Sequence, residues 1–258
     1  MTIIENHSSL SLDIASKGYC IFDIENTDNY NALNDVLKDS LQQDNLQELH
    51  SCINTQDVNA SRLKAYRSLN ILSNWEELYF SLAKNKIEHF LGPDLAIQSK
   101  LNLSIQMPKD STSVLQLHTD ALSGQSIFEL VLWVPFTPAF DSNAMYIFRP
   151  EISKIMLSDM PKLEKEGMSS LFNKYEKEAT FIKIDPGKAL LFSPTMFHGN
   201  ILNITKSTRV SINCRFKNIF THEASSGERR LGSFYKVLKM SEVTKLGLSY
   251  RDDLVSFL

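Results

Sequence analysis

Two hydrophobic periods divide the chain. From about Tyr30 to Cys52, Leu33, Val36, Leu37, Leu41, Leu46, Leu49 and Ile53 recur at helical spacing. A second helix is expected where Ser73-Asn74-Trp75-Glu76 has the form of a capping box, with Ser73 at the N-cap. Trp75, Leu78, Tyr79 and Leu82 give it an apolar stripe, and Gly92-Pro93 stops it. Ahead of both helices, Gly18 to Asp23 reads as a short strand. From about Ala96 the apolar segments become short, β-branched and aromatic, with turn residues between them. Strands are expected at 96–107, 113–118, 126–135, 143–148, 180–184, 188–192, 199–203 and 207–218, with a tight turn at Asp185-Pro186-Gly187-Lys188. The stretch 151–179 interrupts the series. Lys162, Glu164, Lys165, Glu166, Lys174, Glu176, Lys177 and Glu178 mark it as a solvated helical insertion, of a kind that can act as a lid at a barrel mouth. The tail turns polar after Lys217 and is expected to be helical around Leu231 to Lys239.

This order of elements predicts an α+β fold, mainly β: a small barrel or two-sheet jelly roll, with N-terminal helices packed on one sheet. No Pro- or Gly-rich linker separates the parts, so residues 1–258 are expected to form one domain. It comprises a mostly helical part at 1–95, a core at 96–218 and a helical tail at 219–258.

Charge and composition narrow the function classes. A net charge of -3 lacks the basic excess of a nucleic-acid-binding surface. No apolar run approaches the roughly 18 residues of a membrane span, and Met1 to Ser9 has no basic-then-apolar leader pattern. Cys20, Cys52 and Cys214 are odd in number, far apart and without CxxC spacing. They predict neither a disulfide framework nor a thiolate zinc site, and a reducing cytoplasm is the expected compartment.

The candidate chemistry lies in three strand-like pieces. In Leu117-His118-Thr119-Asp120 the imidazole and the carboxylate are two apart, so a strand would aim both to one face. His198 follows far downstream, just after the strand-like Ala189 to Ser193. Two histidines and one aspartate can occupy one face of an octahedral metal and leave three positions open, the pattern of a non-haem iron(II) site. Arg209, on the next strand, presents a fork suited to a carboxylate, and Ser211 shares its face. Arg215 is the rival anchor on the same strand. Trp133 is either core packing or a site residue. Glu129 shares its strand parity and reads equally as a substrate contact or a sheet-edge carboxylate. Asn102, Gln116 and Asn200 are polar residues in or beside the strands, with turn or ladder bonding as the alternative; Arg149 completes the candidate polar lining. His7, His50, His89 and His222 lack partner spacing, and Met145 and Met196 read as core filler.

His118-Thr-Asp120, His198 and Arg209-Val-Ser211 together resemble the iron(II)/2-oxoglutarate-dependent oxygenase superfamily with its double-stranded β-helix. Within it, Leu117-His-Thr-Asp120, Glu129 to Pro135, His198-Gly-Asn200, Arg209 to Lys217 and Leu246 to Tyr250 are similar to the phytanoyl-CoA dioxygenase-like branch and to oxygenases of bacterial carbohydrate and aminoglycoside gene clusters, the StrG-like group. The resemblance implies that His118, Asp120 and His198 hold iron(II). It implies that Arg209 and Ser211 hold the far carboxylate of 2-oxoglutarate, and that dioxygen is the second co-substrate. It further implies a small-molecule substrate that is hydroxylated, a sugar, nucleotide-sugar or amino-sugar intermediate. The same site would serve on an amino acid, a lipid-like thioester or a protein side chain, or in desaturation or epimerisation. Halogenation is disfavoured, because such halogenases omit the carboxylate ligand and Asp120 is present. A metal-free binding module on the same barrel is the reading from another class. The sequence leaves the oligomeric state open.

Overall fold

The computed structural model describes residues 3–162, 167–222 and 229–255; of these, the side chains of residues 3–8, 162 and 252–255 are not described. The chain begins with α1 (Ile3–Lys17), β1 (Tyr19–Asp23) and α2 (Thr27–Leu41), followed by α3 (Leu49–Cys52), α4 (Val58–Ile71), α5 (Trp75–Ser81) and α6 (Lys84–Leu91). Then come β2 (Leu95–Gln98), β3 (Asn102–Gln106), β4 (Leu130–Pro135), β5 (Met145–Ile147), α7 (Pro150–Asp159) and α8 (Gly167–Tyr175). The chain ends with β6 (Thr180–Phe181), β7 (Lys188–Phe192), β8 (His198–Asn200), β9 (Arg209–Asn218), β10 (Tyr235–Lys239) and α9 (Glu242–Val255). Among the described residues no helix is long and apolar enough to cross a membrane.

The strands form two antiparallel sheets. The larger runs β1-β7-β4-β9-β2-β10, with β3 also paired to β9, and the smaller runs β6-β5-β8. Strand alternation sorts the larger sheet's side chains into two environments. Leu130, Leu132 and Val134 of β4, Ala189 and Leu191 of β7, and Val210, Ile212, Cys214 and Phe216 of β9 face the N-terminal helices in one apolar cluster with Leu33, Leu37, Leu69, Tyr79 and Ile87. Fully burying each such leucine contributes about 2 kcal/mol, which explains why six short helices can be held on one sheet. Val131, Trp133, Leu190 and Phe192 point the other way and meet Met145 and Ile147 of the small sheet. β9 departs from this pattern: its inner face carries Arg209, Ser211, Asn213, Arg215 and Lys217.

Several expected elements differ. The helix expected to run from Tyr30 to Cys52 breaks at Gln42, which adopts a left-handed conformation with φ 54°, and the apolar period resumes in a 3-10 turn and α3. Asn74, not Ser73, is the N-cap of α5, and no side chain caps it; Glu76 instead pairs with Lys236. The strand expected at 96–107 is two strands, because the bend between them is tied elsewhere: Ser99 N–H donates to Phe234 O and Leu101 N–H to Asn70 Oδ1. The segment expected to be helical at Leu231 to Lys239 contains β10, which pairs with β2 along the sheet edge; a local pattern cannot show such a non-local ladder.

The 151–179 insertion is helical with Lys174, Glu176, Lys177 and Glu178 exposed, as expected, but its apolar side covers a sheet and not the barrel mouth. Met156 and Leu171 are buried with Tyr146, Phe148 and Phe197, so α7 and α8 cover the outer face of the small sheet. Without them that aromatic face would meet water. Of its charged residues, Lys174 is bound to Asp159 at 2.5 Å, while Glu164, Lys165, Glu166 and the side chain of Lys162 lie outside the described residues. The side chain of His7 does too. His50 bonds Thr208 and His89 bonds Ser11, both structural contacts, and His222 is exposed.

Candidate metal centre and co-substrate pocket

His198 opens β8, whose ladder with β5 places it at the mouth between the sheets. Its neighbour must be glycine: a Cβ at Gly199 would lie 2.6 Å from Tyr146 Oη and 2.8 Å from Leu115 O. The strand expected at 113–118 does not form. His118 makes its one bridge, exchanging both backbone hydrogen bonds with His198, and Leu115 O accepts from Asn200 N–H at 2.9 Å. Asn200 replaces the missing ladder. Its Oδ1 accepts from Leu115 N–H at 2.5 Å and its Nδ2 donates to Ser113 O at 3.2 Å, pinning the segment that delivers His118. Both ends of that amide are therefore committed to the backbone, although Asn200 also borders the cavity.

The bridge sets the two imidazoles side by side, ring centres 4.2 Å apart. Each ring is oriented in the same way: Nδ1 of His118 bonds Gln116 O at 2.8 Å, and Nδ1 of His198 bonds Met196 O at 2.9 Å. A carbonyl only accepts, so each Nδ1 carries a proton, which in the neutral ring puts the lone pair on Nε2. Asp120 lies beside them, its Oδ1 3.9 Å from His118 Nε2. One ligand atom from each of the three residues falls within 4.8 Å of the other two. Burial pushes the Asp120 carboxyl up, but Arg215 and the two imidazoles outweigh it and hold the group below its ordinary value. Burial also pushes His198 down to about 4, so at neutral pH it is a neutral ligand. Asp120 Oδ2 is buried without a hydrogen-bond partner. Two free imidazole nitrogens and an unpartnered carboxylate oxygen are a donor set that fits a divalent transition metal.

These residues border a cavity of about 480 Å³. At one end, over Trp133, Met145 and Phe192, is the buried Arg209. Its Nε donates to Asn143 O at 2.7 Å, Nη2 to Gln106 Oε1 at 3.0 Å and Nη1 to Ser211 Oγ at 2.6 Å. The Trp133 ring centre lies 5.7 Å from its Cζ. All these partners are neutral, and among the described residues no carboxylate pairs with it. Burial lowers its pKa to about 10, which still leaves a full charge at neutral pH. Each Nη keeps a further N–H, so the guanidinium has a two-pronged face for a carboxylate.

Arg215, six positions along the same face, is in the opposite situation. Its Nη2 donates to Asp120 Oδ1 at 2.5 Å and its Nη1 to Gln98 Oε1 at 2.9 Å, while its Nε is 3.8 Å from Glu129 Oε1. Glu129 is buried behind the cavity and accepts from Tyr235 Oη at 2.6 Å. Burial pushes its pKa up to about 7 despite that bond. It is neither a sheet-edge surface carboxylate nor part of the cavity wall. Gln116 is not in the wall either: without a strand, the parity that paired it with His118 has no meaning, and its side chain is exposed. Arg149 lies outside, paired with Glu151. Asn102 is in the wall, bonded to Asn213 Oδ1 at 2.9 Å. Asn213, Ser104, Gln106 and Gln98 went unnoticed in the sequence. The period-two alternation in β3 and β9 was the available signal, since it puts Asn102 opposite Asn213, Ser104 opposite Ser211 and Gln106 opposite Arg209.

In sequence, no family model and no curated protein matches this chain. In fold, it is similar to the non-heme monooxygenase ThoJ in its nickel complex, 18% identical over 96% of each chain with a TM-score of 0.50. It is also similar to HygX from Streptomyces hygroscopicus with nickel and 2-oxoglutarate bound, 11% identical over 89% of this chain and 96% of that one, TM-score 0.55. A third likeness is to SnoN, a non-heme alpha-ketoglutarate-dependent epimerase from nogalamycin biosynthesis, 13% identical over 87% of each chain, TM-score 0.52. At these identities the comparison concerns architecture: the chain has the jelly-roll, double-stranded β-helix fold of these proteins, with helices against the larger sheet.

Proposed function

We propose that this chain is an iron(II)- and 2-oxoglutarate-dependent oxygenase that hydroxylates a small polar metabolite. The observation that carries the reading is the placement of two opposite needs in one cavity. Three metal-type donor atoms lie within 4.8 Å of one another, and a buried arginine on the same wall has no anionic partner among the described residues. A binding module without metal chemistry has no need of the three-donor cluster. The ThoJ, HygX and SnoN likenesses support the reading, since nickel stands in one, nickel with 2-oxoglutarate in another, and the third is an alpha-ketoglutarate-dependent enzyme.

In this reading His118, Asp120 and His198 hold the iron. Arg209, with Ser211 and Gln106 fixing its fork, receives the far carboxylate of 2-oxoglutarate, and Trp133 forms the wall beside it. Bound iron and 2-oxoglutarate supply oxidation: one oxygen atom of dioxygen enters succinate as carbon dioxide leaves, and the other enters a substrate C–H bond. The protein's own contribution is orientation and shielding. The backbone bridge fixes both imidazoles, carbonyls set their tautomers, and the apolar Val131, Trp133, Met145 and Phe192 keep water from that end of the cavity.

The remaining wall addresses the substrate. Asn102, Ser104 and Asn213 form an uncharged hydrogen-bonding surface, and Asp120 is the one carboxylate bordering the cavity among the described residues. That surface favours hydroxyl and carbonyl groups over a protonated amine. It supports a carbohydrate or nucleotide-sugar intermediate more than an amino sugar, whose ammonium would find no free anion. The cytoplasm, which keeps iron ferrous, is the proposed compartment.

Succinate formation tests the reading without a known substrate. Purified protein with iron(II), 2-oxoglutarate and air is expected to release succinate slowly, and Asp120→Ala and His198→Ala to reduce it to the iron-only background. Equal succinate from wild type and both variants rules the oxygenase out.

A further inference from the structure

Asp120 has two oxygens, and a metal can take one or both. Its surroundings are asymmetric. Oδ1 is engaged by Arg215 Nη2 at 2.5 Å, whereas Oδ2 has no hydrogen-bond partner. The guanidinium is itself held: Gln98 accepts from Nη1, and the buried carboxylate of Glu129 faces Nε at 3.8 Å with Tyr235 donating to it. Arg215, Glu129 and Tyr235 come from β9, the segment before β4, and β10, so the arrangement is built by the sheet and not by one loop. Resting on the oxygenase reading above, we propose that Arg215 is a positioning residue that restricts Asp120 to one-oxygen metal ligation, with Glu129 and Gln98 fixing its aim.

The consequence is a count of open coordination positions. Two imidazoles and one carboxylate oxygen leave an octahedral metal three positions. 2-Oxoglutarate fills two through its oxo group and near carboxylate, and dioxygen needs the third. A two-oxygen Asp120 would take that third position. A charge-assisted bond from a guanidinium is among the strongest constraints on carboxylate rotation available to a protein, and burial shields it from competing water.

Manganese(II) alone is the probe, because its bound waters can be counted by resonance line broadening in oxygen-17 water, independently of turnover. The wild type is expected to hold three waters. Arg215→Met is expected to hold two, with manganese bound at least as tightly, and Arg215→Lys, which keeps a cationic donor, to regain the third. Arg215→Gln serves in place of the methionine variant if that does not fold. Three waters in the methionine or glutamine variant overturn the inference while leaving the metal site intact. Failure of the wild type to bind manganese at all overturns the oxygenase reading itself. A residue that merely supported the fold would weaken manganese binding without changing the water count, and that result too contradicts the proposal.

Discussion

Arg209 and Arg215 lie on one face of one strand and border one cavity, yet their surroundings are opposite. Arg215 is paired with charge: Asp120 and Gln98 are bonded to it and Glu129 stands at 3.8 Å, although its Nε makes no hydrogen bond. Arg209 is held by neutral groups only, with two N–H bonds still to give. Burying a charge is costly unless something pairs with it. A buried arginine paired with the protein's own anion is part of the scaffold, whereas one with no anion among the described residues is suited to an anionic ligand. The choice between the two anchors, which sequence parity could not make, is decided on this physical ground in favour of Arg209 as the proposed co-substrate anchor.

The comparison can be broken most forcefully at Arg209. Arg209→Ala is expected to weaken 2-oxoglutarate binding to the manganese-loaded protein by about 3 kcal/mol or more, over a hundredfold, with manganese affinity unchanged, as calorimetric titration would show. If Arg215→Met produced that loss and Arg209→Ala did not, the roles would be exchanged. Met156→Ala, behind the small sheet, is expected to lower unfolding free energy by about 2–4 kcal/mol in denaturant titration while leaving co-substrate affinity alone. A change in that affinity would mean that α7 does more than back the sheet.

Glu129 probes the ion-paired end through pH. Its folded pKa, raised to about 7 from 4.5, means that the folded protein holds a proton that the unfolded chain has released. Stability contributed there is present at low pH and lost as pH rises from about 4.5 through 7. Glu129→Gln should flatten that part of the metal-free stability curve and gain about 1–2 kcal/mol at pH 8, at 1.36 kcal/mol per unit discounted for Arg215; an unchanged slope would place the titration elsewhere. The smallest expected effect is at Arg209→Lys, which keeps the charge but loses the fork. Co-substrate affinity should fall by about tenfold, and a loss as large as alanine's would show that two-pronged geometry, more than charge, dominates.

The β9 part of the candidate site is legible in the sequence because strand alternation is a two-residue code. Arg209 with Ser211 and the apolar-outward, polar-inward run of β9 can be read from neighbours in the chain, whereas His118 and Asp120 converge through a single bridge and the turn at Asp120, not through strand alternation. Reading failed where a strand was assumed and none forms: Gln116 shares parity with His118 in a segment that makes one bridge and no ladder. For Asn200 the sequence offers a ligand contact or ladder bonding, and the second is what forms; its partners at 113 and 115 become neighbours only in the folded chain. Parity aligns Glu129 with Trp133, with a sheet-edge position as the alternative; it sits behind the cavity wall instead, in contact with Tyr235 of β10, a strand that no local pattern marks. The jelly roll was legible from the spacing of short strands; its edge strand and the covering role of 151–179 were not, since both depend on which surface each element finds to bury.

The central claim is that iron and 2-oxoglutarate meet in this cavity, held by His118, Asp120 and His198 at one end and Arg209 at the other. Anaerobic addition of iron(II) and then 2-oxoglutarate tests it most directly. The account predicts a visible metal-to-ligand charge-transfer band that needs both components, disappears in Asp120→Ala, and in Arg209→Ala returns only at far higher 2-oxoglutarate. A folded wild type that shows no band with both components saturating would contradict it.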